Sequence, residues 1–598
     1  MSTIKSHFSR QKVTKVASAI AVALTVGNLQ AADLGLSDGW NGSLDTTIAV
    51  GTAIRMEDQD SKRIGKSNNA PIIPGQGFMP EGSWSTNGDD GNLNFDKGDA
   101  ISQALNITME LDLNYEDSYG LFVRANAWYD HVYEKNDMAF KDINPKAQNR
   151  LRNGARLLDA YVWGSWDMGE QFLQLRAGSQ VINWGESTLI QHSISEANPI
   201  DVTRLRTPGA ELREAFIPVD TLWGSWDINE SWNLEAYVQF EWQPLRLDAP
   251  GTYFASNDFI GDGGEFIELG FGQLPELTTV AIRRGDQDPS DDGQYGVRLG
   301  WFSEELGETD FGFYYVNYHN KRPIISTYAH NGVQVEGFVE YLEDIQMYGF
   351  SFNTNVGESS LAGEISYRKD EPLQIDDVEI LFAALEPVGG VPSGSSQLPG
   401  GSLPGDLISG YRLFDTIQAQ MTLTTFLGPT WGADQFVILA EVGATWIQDM
   451  PSQDELRFDA PGTVRSGNPA RAGNGIGFLA GPGAVCTSSG VLQCEGVETN
   501  SFGEDFSWGY RLIARLSYSN VFDGWNMSPT LVFSHDVDGT TPLPIGNFVE
   551  DRKSAGIAFV FDYNNQWVVS ARYNMFFDGD ANVIDDRDNI AFNASYSF

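Results

Sequence analysis

The sequence predicts an all-β protein, a transmembrane antiparallel β-barrel of about 18 strands with long extracellular loops. Three observations predict this fold. Apolar and polar side chains alternate along much of the chain, the last strand ends on Phe598, and no stretch beyond residue 31 approaches the roughly 18 apolar residues that a membrane helix needs. Because only helices and closed barrels satisfy their backbone polar groups in a bilayer, a membrane protein made from this chain must be a barrel.

The first 31 residues have the pattern of a secretory signal peptide. Four cations precede an apolar stretch from Val16 to Val26, which is too short to span a bilayer as a helix. Leu29-Gln30-Ala31 then offers a cleavage site. We therefore expect residues 32–598 to form one exported barrel domain in the outer membrane of a Gram-negative cell.

Period-two alternation defines the individual strands. In the last one, Phe592 and Tyr596 share a face with Phe598, while Asn593 and Ser595 lie on the other face. Sixteen strands is the main alternative to a count of about 18. The clearest further strands, in which every second residue from the first should face lipid, are Leu105–Tyr115, Leu121–Tyr129, Leu234–Trp242, Tyr510–Tyr518, Ile557–Tyr563 and Trp567–Phe577.

Short and long connections alternate between these strands, as expected for periplasmic turns and extracellular loops. An even strand count leaves both termini in the periplasm. The predicted tight turns are Tyr115–Tyr119, Asp167–Gln171, Asp227–Trp232 and Asn564–Asn565, and the predicted long connections are residues 57–101, 243–293, 369–412 and 448–506. Five tryptophans beside short turns should form an interfacial girdle: Trp166, Trp226, Trp232, Trp301 and Trp567.

The chain is strongly acidic, with a formal net charge of −43. This charge argues against nucleic-acid binding. It suits loops in which divalent cations bridge to lipopolysaccharide, although simple solubility explains it equally well. Cys486 and Cys494 fall in one predicted outer loop of an exported protein, so a disulfide is the favoured interpretation.

Charged residues out of phase with the apolar faces should project into the lumen. Solvated, they would line a wide pore; paired across the lumen, they would rigidify it or bound a substrate path. The candidates are Arg124, Arg176, Glu235, Glu241, Arg511, Arg515 and Arg572.

The segment from Trp184 to Pro218 is too long for a hairpin turn and too apolar for a freely solvated loop. We expect it to fold into the barrel and constrict the lumen. Its charged residues have two possible roles, gating with cargo contact or ordinary loop packing, and they are Glu186, Asp201, Arg204 and Arg206.

Asp90, Asn92, Asn94 and Asp96 place an oxygen-bearing side chain at every second position, as calcium loops do. A simple Asn/Asp-rich turn is the alternative, because the distal Glu and the helices of an EF-hand are missing. No other cofactor is expected. The sequence has no nucleophile elbow, phosphate loop or zinc-protease helix, so we do not expect an enzyme.

The chain also resembles the proteobacterial domain-of-unknown-function 1302 family over nearly its entire mature length. The segments that carry the resemblance are 44–47, 89–95, 157–162, 183–188, 198–202, 208–212, 253–259 and 534–537. The resemblance implies an outer-membrane barrel that is often encoded near a periplasmic lipid-carrier-like protein and a resistance-nodulation-division transporter, in settings involving hydrophobic compounds.

Together these observations favour an outer-membrane channel for hydrophobic or amphipathic small molecules such as lipids, hydrocarbons or steroid-like compounds. A general or solute-selective porin is the first alternative, and a surface adhesin or structural barrel is the second. The expected partners are outer-membrane lipid and lipopolysaccharide, the barrel-assembly machinery through Phe598 and, as the family resemblance implies, the periplasmic carrier and the transporter.

Overall fold

The computed structural model describes residues 32–33, 39–70, 80–389, 394–400, 403–467, 498 and 501–598. The predicted signal peptide, residues 1–31, lies outside these residues. So do Cys486 and Cys494, and the disulfide therefore stays a prediction.

The described residues form 24 strands. In chain order they are β1 (Ala32–Asp33), β2 (Trp40–Arg55), β3 (Ala100–Tyr115), β4 (Tyr119–Asp130), β5 (Asn153–Met168), β6 (Gln171–Gln180), β7 (Val219–Asn229), β8 (Trp232–Gln239), β9 (Phe266–Glu268), β10 (Val280–Arg283), β11 (Tyr295–Ser303), β12 (Thr309–Tyr318), β13 (Ile324–Tyr328), β14 (Glu336–Glu340), β15 (Ile345–Val356), β16 (Ser359–Gln374), β17 (Leu407–Ile408), β18 (Tyr411–Leu427), β19 (Gln435–Ile447), β20 (Phe506–Phe522), β21 (Trp525–Asp538), β22 (Lys553–Tyr563), β23 (Trp567–Phe577) and β24 (Asn589–Ser597).

Eighteen of these strands close into one antiparallel barrel, which confirms the predicted fold. They are β2–β8, β11, β12, β15, β16 and β18–β24, each paired with its neighbour in sequence order. The barrel closes between β24 and β2, in register from Thr47 opposite Ser597 to Arg55 opposite Asn589. The start of β2 and the end of β24 lie at the rim of the barrel that carries the short turns. We call this rim the inner end and the opposite rim, with the long connections, the outer end.

Alternation along the strands separates an apolar outer surface from a polar interior. On β3, Met109 is exposed on the outside, whereas Asn106 and Thr108 are buried on the lumen side. The same phase makes Val162 and Phe559 outward-facing and exposed. This exposed apolar belt is the surface that a lipid-facing barrel presents.

Aromatic side chains cluster near the inner end, where the sequence predicts a girdle of tryptophans. Trp232 and Trp301 stack with ring centroids 5.7 Å apart, and Trp166 and Trp226 are exposed. Trp242 differs from its prediction as a lipid-facing residue. Because β8 ends at Gln239, Trp242 lies in the outer loop, where it is buried and its Nε1 donates to the Asn320 carbonyl.

The outer connections build a folded cap of their own. Strands β17, β13, β14, β10 and β9, drawn from three different connections, form a five-stranded sheet in that order. The short helices are α1 (Lys66–Asn69), α2 (Asp90–Leu93), α3 (Pro145–Arg152), α4 (Val202–Arg206), α5 (Leu212–Ala215) and α6 (Asp377–Leu385). Helix α6 packs its apolar side chains into the largest buried cluster, with Leu269, Phe271 and Ala281. None of the described helices is long and apolar enough to cross a membrane.

We predict that Phe559→Arg destabilises the barrel in lipid by about 2–4 kcal/mol, because it puts a charge on the lipid-facing surface. Val560→Arg is the matched control, since it points from the next position on β22 into the lumen beside Ser528 and Ser570. Urea unfolding in lipid vesicles measures both. Equal destabilisation by the two variants would contradict the assignment of the faces.

Candidate functional site

Residues 184–218, here named the constriction segment, lie inside the barrel. The segment leaves the wall after β6 and returns at β7. At its start, the Trp184 indole donates to Glu235 of β8 at 2.8 Å. Further along, Gly209 lies beside Ala49 of β2, so the segment reaches strands on distant parts of the wall.

Two wall glutamates hold the first half of this segment. Glu364 of β16 and Glu441 of β19 are both buried and face the lumen. Each accepts three backbone N–H groups at 2.6–3.2 Å: Glu364 from Glu186, Ser187 and Ile194, and Glu441 from Thr188, Leu189 and Ile190. Because a buried carboxylate is costly unless it is hydrogen-bonded, these contacts fix the depth of the segment.

Arginines secure the segment toward the outer end. The buried Arg368 guanidinium donates to the carbonyls of His192 and Ser193, at 3.1 and 2.7 Å. Arg322 pairs with Glu196 at 2.9 Å. Although burial alone would raise the pKa of Glu196, the charge and hydrogen bond of Arg322 lower that pKa to about 2. The Glu196 carboxylate is therefore ionised at neutral pH.

The four charged residues of the segment that were predicted to gate or to pack all contact neighbouring groups. Asp201 accepts the Arg204 N–H at 3.3 Å, at the start of α4. The Arg204 guanidinium lies 3.6 Å from the centroid of the Trp128 ring, and burial lowers the pKa of Arg204 to about 10. Arg206 pairs with Asp248 at 2.5 Å. Glu186 accepts a hydrogen bond from Asn353 of β15 at 3.0 Å.

Wall charges near the segment are also paired. Arg124 contacts Glu110 and lies 2.5 Å from Asp159. Glu110 in turn accepts Arg213 of the constriction segment at 2.6 Å. Glu235 pairs with Arg298 at 2.8 Å. The pair between Arg213 and Glu110 ties the segment to the wall, and the other pairs join wall strands to one another.

Three other predicted lumen residues occupy different settings. The Arg176 guanidinium lies 4.6 Å from the centroid of Trp223, on the lumen side of the wall. Arg511 pairs with Asp536 at 2.7 Å. Glu241 lies beyond the end of β8 and accepts from Gln243 at 2.5 Å, so it belongs to an outer loop and is not a residue of the barrel wall.

Arg515 and Arg572 are exposed on the lumen side of the remaining wall, strands β20–β23. Their register positions share one row through Thr530 and Ala558, three strand spacings or about 14 Å apart. Arg515 donates to Ser528 at 3.0 Å, whereas Arg572 makes no side-chain hydrogen bond or ion pair to the described residues. This part of the wall is named the open arc, and small side chains occupy several of its lumen-side positions, including Ser528, Thr530, Gly556 and Ala558.

The structure does not bring the predicted calcium ligands together. Residues 90–93 form α2, and in a helical turn side chains two positions apart point to opposite sides. The Asn92 amide donates to Asp586, Asn94 is held by backbone groups of Lys141 and Gly251, and Asp96 accepts from Gln59. The segment is an Asn- and Asp-rich turn that joins outer loops.

A cavity of about 660 Å³, named the vestibule, lies between the outer connections above the constriction segment. Arg322, which binds Glu196 of the segment, lines its floor. Its apolar lining residues include Trp84, Leu245, Leu247, Phe259, Ile260, Ile325, Val464, Leu543 and Val583. A narrow cleft of about 60 Å³, lined mainly by apolar side chains of the cap, adjoins it and shares Trp84, Phe259 and Ile325.

Sequence reasoning missed Glu364 and Glu441, the main anchors of the segment. A signal existed, since each is an acidic residue in the lumen-facing phase of a strand. The alternation gives the face, but only the fold shows that the two carboxylates meet the same loop about 180–250 residues earlier in the chain.

The model of the family described as "Protein of unknown function (DUF1302)" matches residues 12–598. The chain belongs to the DUF1302 family. No curated protein matches this DUF1302 chain. Among solved structures it is similar to OccAB1 of Acinetobacter baumannii, with 10% identity, a TM-score of 0.40, and coverage of 95% of this chain and 99% of that one. OccK2 (OpdF) of Pseudomonas aeruginosa in complex with glucuronate has 9% identity, a TM-score of 0.36, and coverage of 93% and 98%.

We predict that Glu441→Gln loosens the constriction segment of this DUF1302 protein by about 2–3 kcal/mol, because charge-assisted hydrogen bonds to three N–H groups are weakened. Single-channel recording in planar bilayers should show larger and noisier open currents. Asp562→Asn is the control, a lumen-side acid whose carboxylate accepts only from Asn526 among the described residues. Unchanged currents in Glu441→Gln would show that these bonds do not hold the constriction.

Proposed function

We propose that this protein is an outer-membrane channel for amphipathic or hydrophobic small molecules. The observation that carries this proposal is the vestibule, a cavity of about 660 Å³ whose wall combines apolar and charged side chains above the constriction segment. Small-molecule sites have volumes of roughly 300–1,000 Å³ and combine apolar walls with a few polar groups. The apolar belt of the barrel supports placement in a bilayer.

The chemistry of the vestibule favours a molecule with an apolar body and a polar end. Phe259, Ile325 and the adjoining cleft provide the apolar side. Arg63 and Arg322 provide cationic groups elsewhere on the same wall, each already paired with a carboxylate. The polar end of an amphipath would lie beside these ion pairs while its apolar body contacts the apolar side, whereas an uncharged hydrocarbon would match the apolar side alone.

Passage beyond the vestibule would follow the open arc. The constriction segment is anchored to β8, β15, β16 and β19, whereas small side chains on β21 and β22, such as Thr530 and Ala558, leave room on the other side. We further propose that a periplasmic lipid-carrier-like protein and a resistance-nodulation-division transporter exchange cargo with the inner end, as the family resemblance implies.

The decisive experiment is mass spectrometry of small molecules that copurify with protein extracted gently from its native membrane, with an unrelated barrel from that membrane as control. We expect one enriched class of amphipathic compound. An empty protein under conditions that retain lipid on the control barrel would contradict the proposal.

We predict that Leu247→Gln combined with Ile260→Gln lowers the amount of bound compound per protein about tenfold, because two apolar contacts of the vestibule are lost. Leu277→Gln is the matched control, an exposed leucine of the same connection that lies outside the vestibule lining. Quantitative mass spectrometry of the three proteins measures the effect. An equal reduction in the control would point to general destabilisation.

A solute-selective porin is the second candidate, and the open arc favours it. Arg515 and Arg572 are exposed in the lumen without a carboxylate partner among the described residues. Unneutralised cations along a pore attract small anions. A porin of this kind would conduct strongly and retain no hydrophobic ligand.

We predict that Arg515→Gln combined with Arg572→Gln shifts ion selectivity toward cations, because the arc loses two positive charges. Reversal potentials across a salt gradient in planar bilayers measure the shift. Arg412→Gln is the control, because Arg412 is exposed near the outer end of β18 and, among the described residues, donates only to the neighbouring Tyr411 carbonyl. Selectivity unchanged in the double variant would show that ions do not pass the arc.

A further inference from the structure

Two groups of outer-loop carboxylates are close enough to share an ion. Among the described residues, one group is Asp89, Asp90 and Glu276, and the other is Asp376, Asp377 and Asp459. In each group, one oxygen from every residue lies within 4.8 Å of the others. Proximity alone does not make a site, so the surroundings of the two groups decide between them.

The first group already contains a cation. Lys141 Nζ lies 2.9 Å from Asp90 and 3.0 Å from Glu276. The second group differs, because none of its three carboxylates forms an ion pair with any part of the chain that the structure describes. Arg457, the nearest cation on the same loops, pairs instead with Glu379 at 3.4 Å.

The burial and hydrogen bonding of Asp376 also point to a bound cation in the second group. Its side chain is fully buried, with a relative exposure of 0%. One oxygen, Oδ1, accepts the Val378 N–H at 3.1 Å, so Asp376 is the N-cap residue of α6. This hydrogen bond gives a partner to Oδ1 but not to Oδ2. The other oxygen, Oδ2, is buried without a hydrogen-bond partner, and so is Oδ1 of Asp377. A buried ionised oxygen without a partner is strongly unfavourable.

We propose that Asp376, Asp377 and Asp459 bind one Ca²⁺ ion. Three carboxylates supply hard oxygen ligands without nitrogen or sulfur, and Ca²⁺ accepts such oxygens in flexible arrangements. The ion would satisfy the oxygens that the protein leaves unpaired and would offset negative charge in a chain of net charge −43.

The proposed site is open to the vestibule and lies between two outer connections. Asp377 and Asp459 line the vestibule, so an ion can enter from that cavity. Asp376 and Asp377 follow β16, whereas Asp459 belongs to the connection between β19 and β20. The two connections already touch through the bridge between Ile375 and Phe458. A bound ion would therefore cross-link two outer connections at the wall of the vestibule.

Calorimetric titration with CaCl₂ tests the site on the full mature chain, refolded in detergent without lipopolysaccharide and freed of metal with a chelator. The test variant is Asp377→Asn with Asp459→Asn, which keeps Asp376 as the helix cap. The control is Asp90→Asn with Glu276→Gln in the lysine-containing group. We expect one Ca²⁺ per protein in the wild type and the control, and at least tenfold weaker binding in the test variant.

Thermal unfolding provides a second test that does not depend on the double variant. Ca²⁺ should raise the unfolding temperature of the wild type and the control, and the single variant Asp459→Asn should lose most of that rise. Absence of uptake by the wild type, or equal uptake by the test variant, would overturn the site. Tighter binding of Mg²⁺ than of Ca²⁺ in the same titration would overturn the choice of ion.

Discussion

The interior of this barrel depends on two buried carboxylates that accept backbone N–H groups. Strand pairing closes the wall but does not position a long segment inside it. Glu364 and Glu441 do so, because each holds three consecutive or nearby N–H groups of the constriction segment. Charge-assisted hydrogen bonds of this kind are strong where water is scarce. The attachment also leads toward the vestibule, because Glu196 of the same segment pairs with Arg322, which lines that cavity.

The wall is correspondingly divided into two parts. Where the segment is attached, lumen-side residues are acids, amides and arginines whose polar groups meet the segment or one another, as Arg368 does with His192 and Ser193. On β21 and β22, several lumen-side positions are small, such as Ser528 and Ala558. Large polar groups need partners when buried, while small ones leave space, so composition along the wall determines where the constriction segment packs.

The barrel could be predicted because the alternation of apolar and polar residues is a local property of each strand. A period of two gives the face of each strand without knowledge of its partners, so lipid-facing sets such as Leu121–Tyr129 follow from sequence, whereas the structure decides for 18 strands over the alternative of 16. The same method misplaced Trp242, because alternation continues past the end of β8. The calcium loop predicted from Asn92 and Asn94 was wrong for a related reason. Their spacing suits an extended loop, but the backbone of residues 90–93 is helical. Contacts between distant segments, such as Asp376 with Asp459, leave no local trace.

The charged residues that anchor the constriction segment are separate from those exposed in the open arc. The arginines of the constriction segment are engaged in anchoring: Arg206 with Asp248 and Arg213 with Glu110, while Arg204 is buried against Trp128. The contacts that position these arginines also neutralise or desolvate their charges. Arg515 and Arg572 lie on another part of the wall, β20 and β23, and neither contacts the constriction segment among the described residues. The residues that hold the segment in place are therefore distinct from the two arginines that are exposed on the lumen side of the arc.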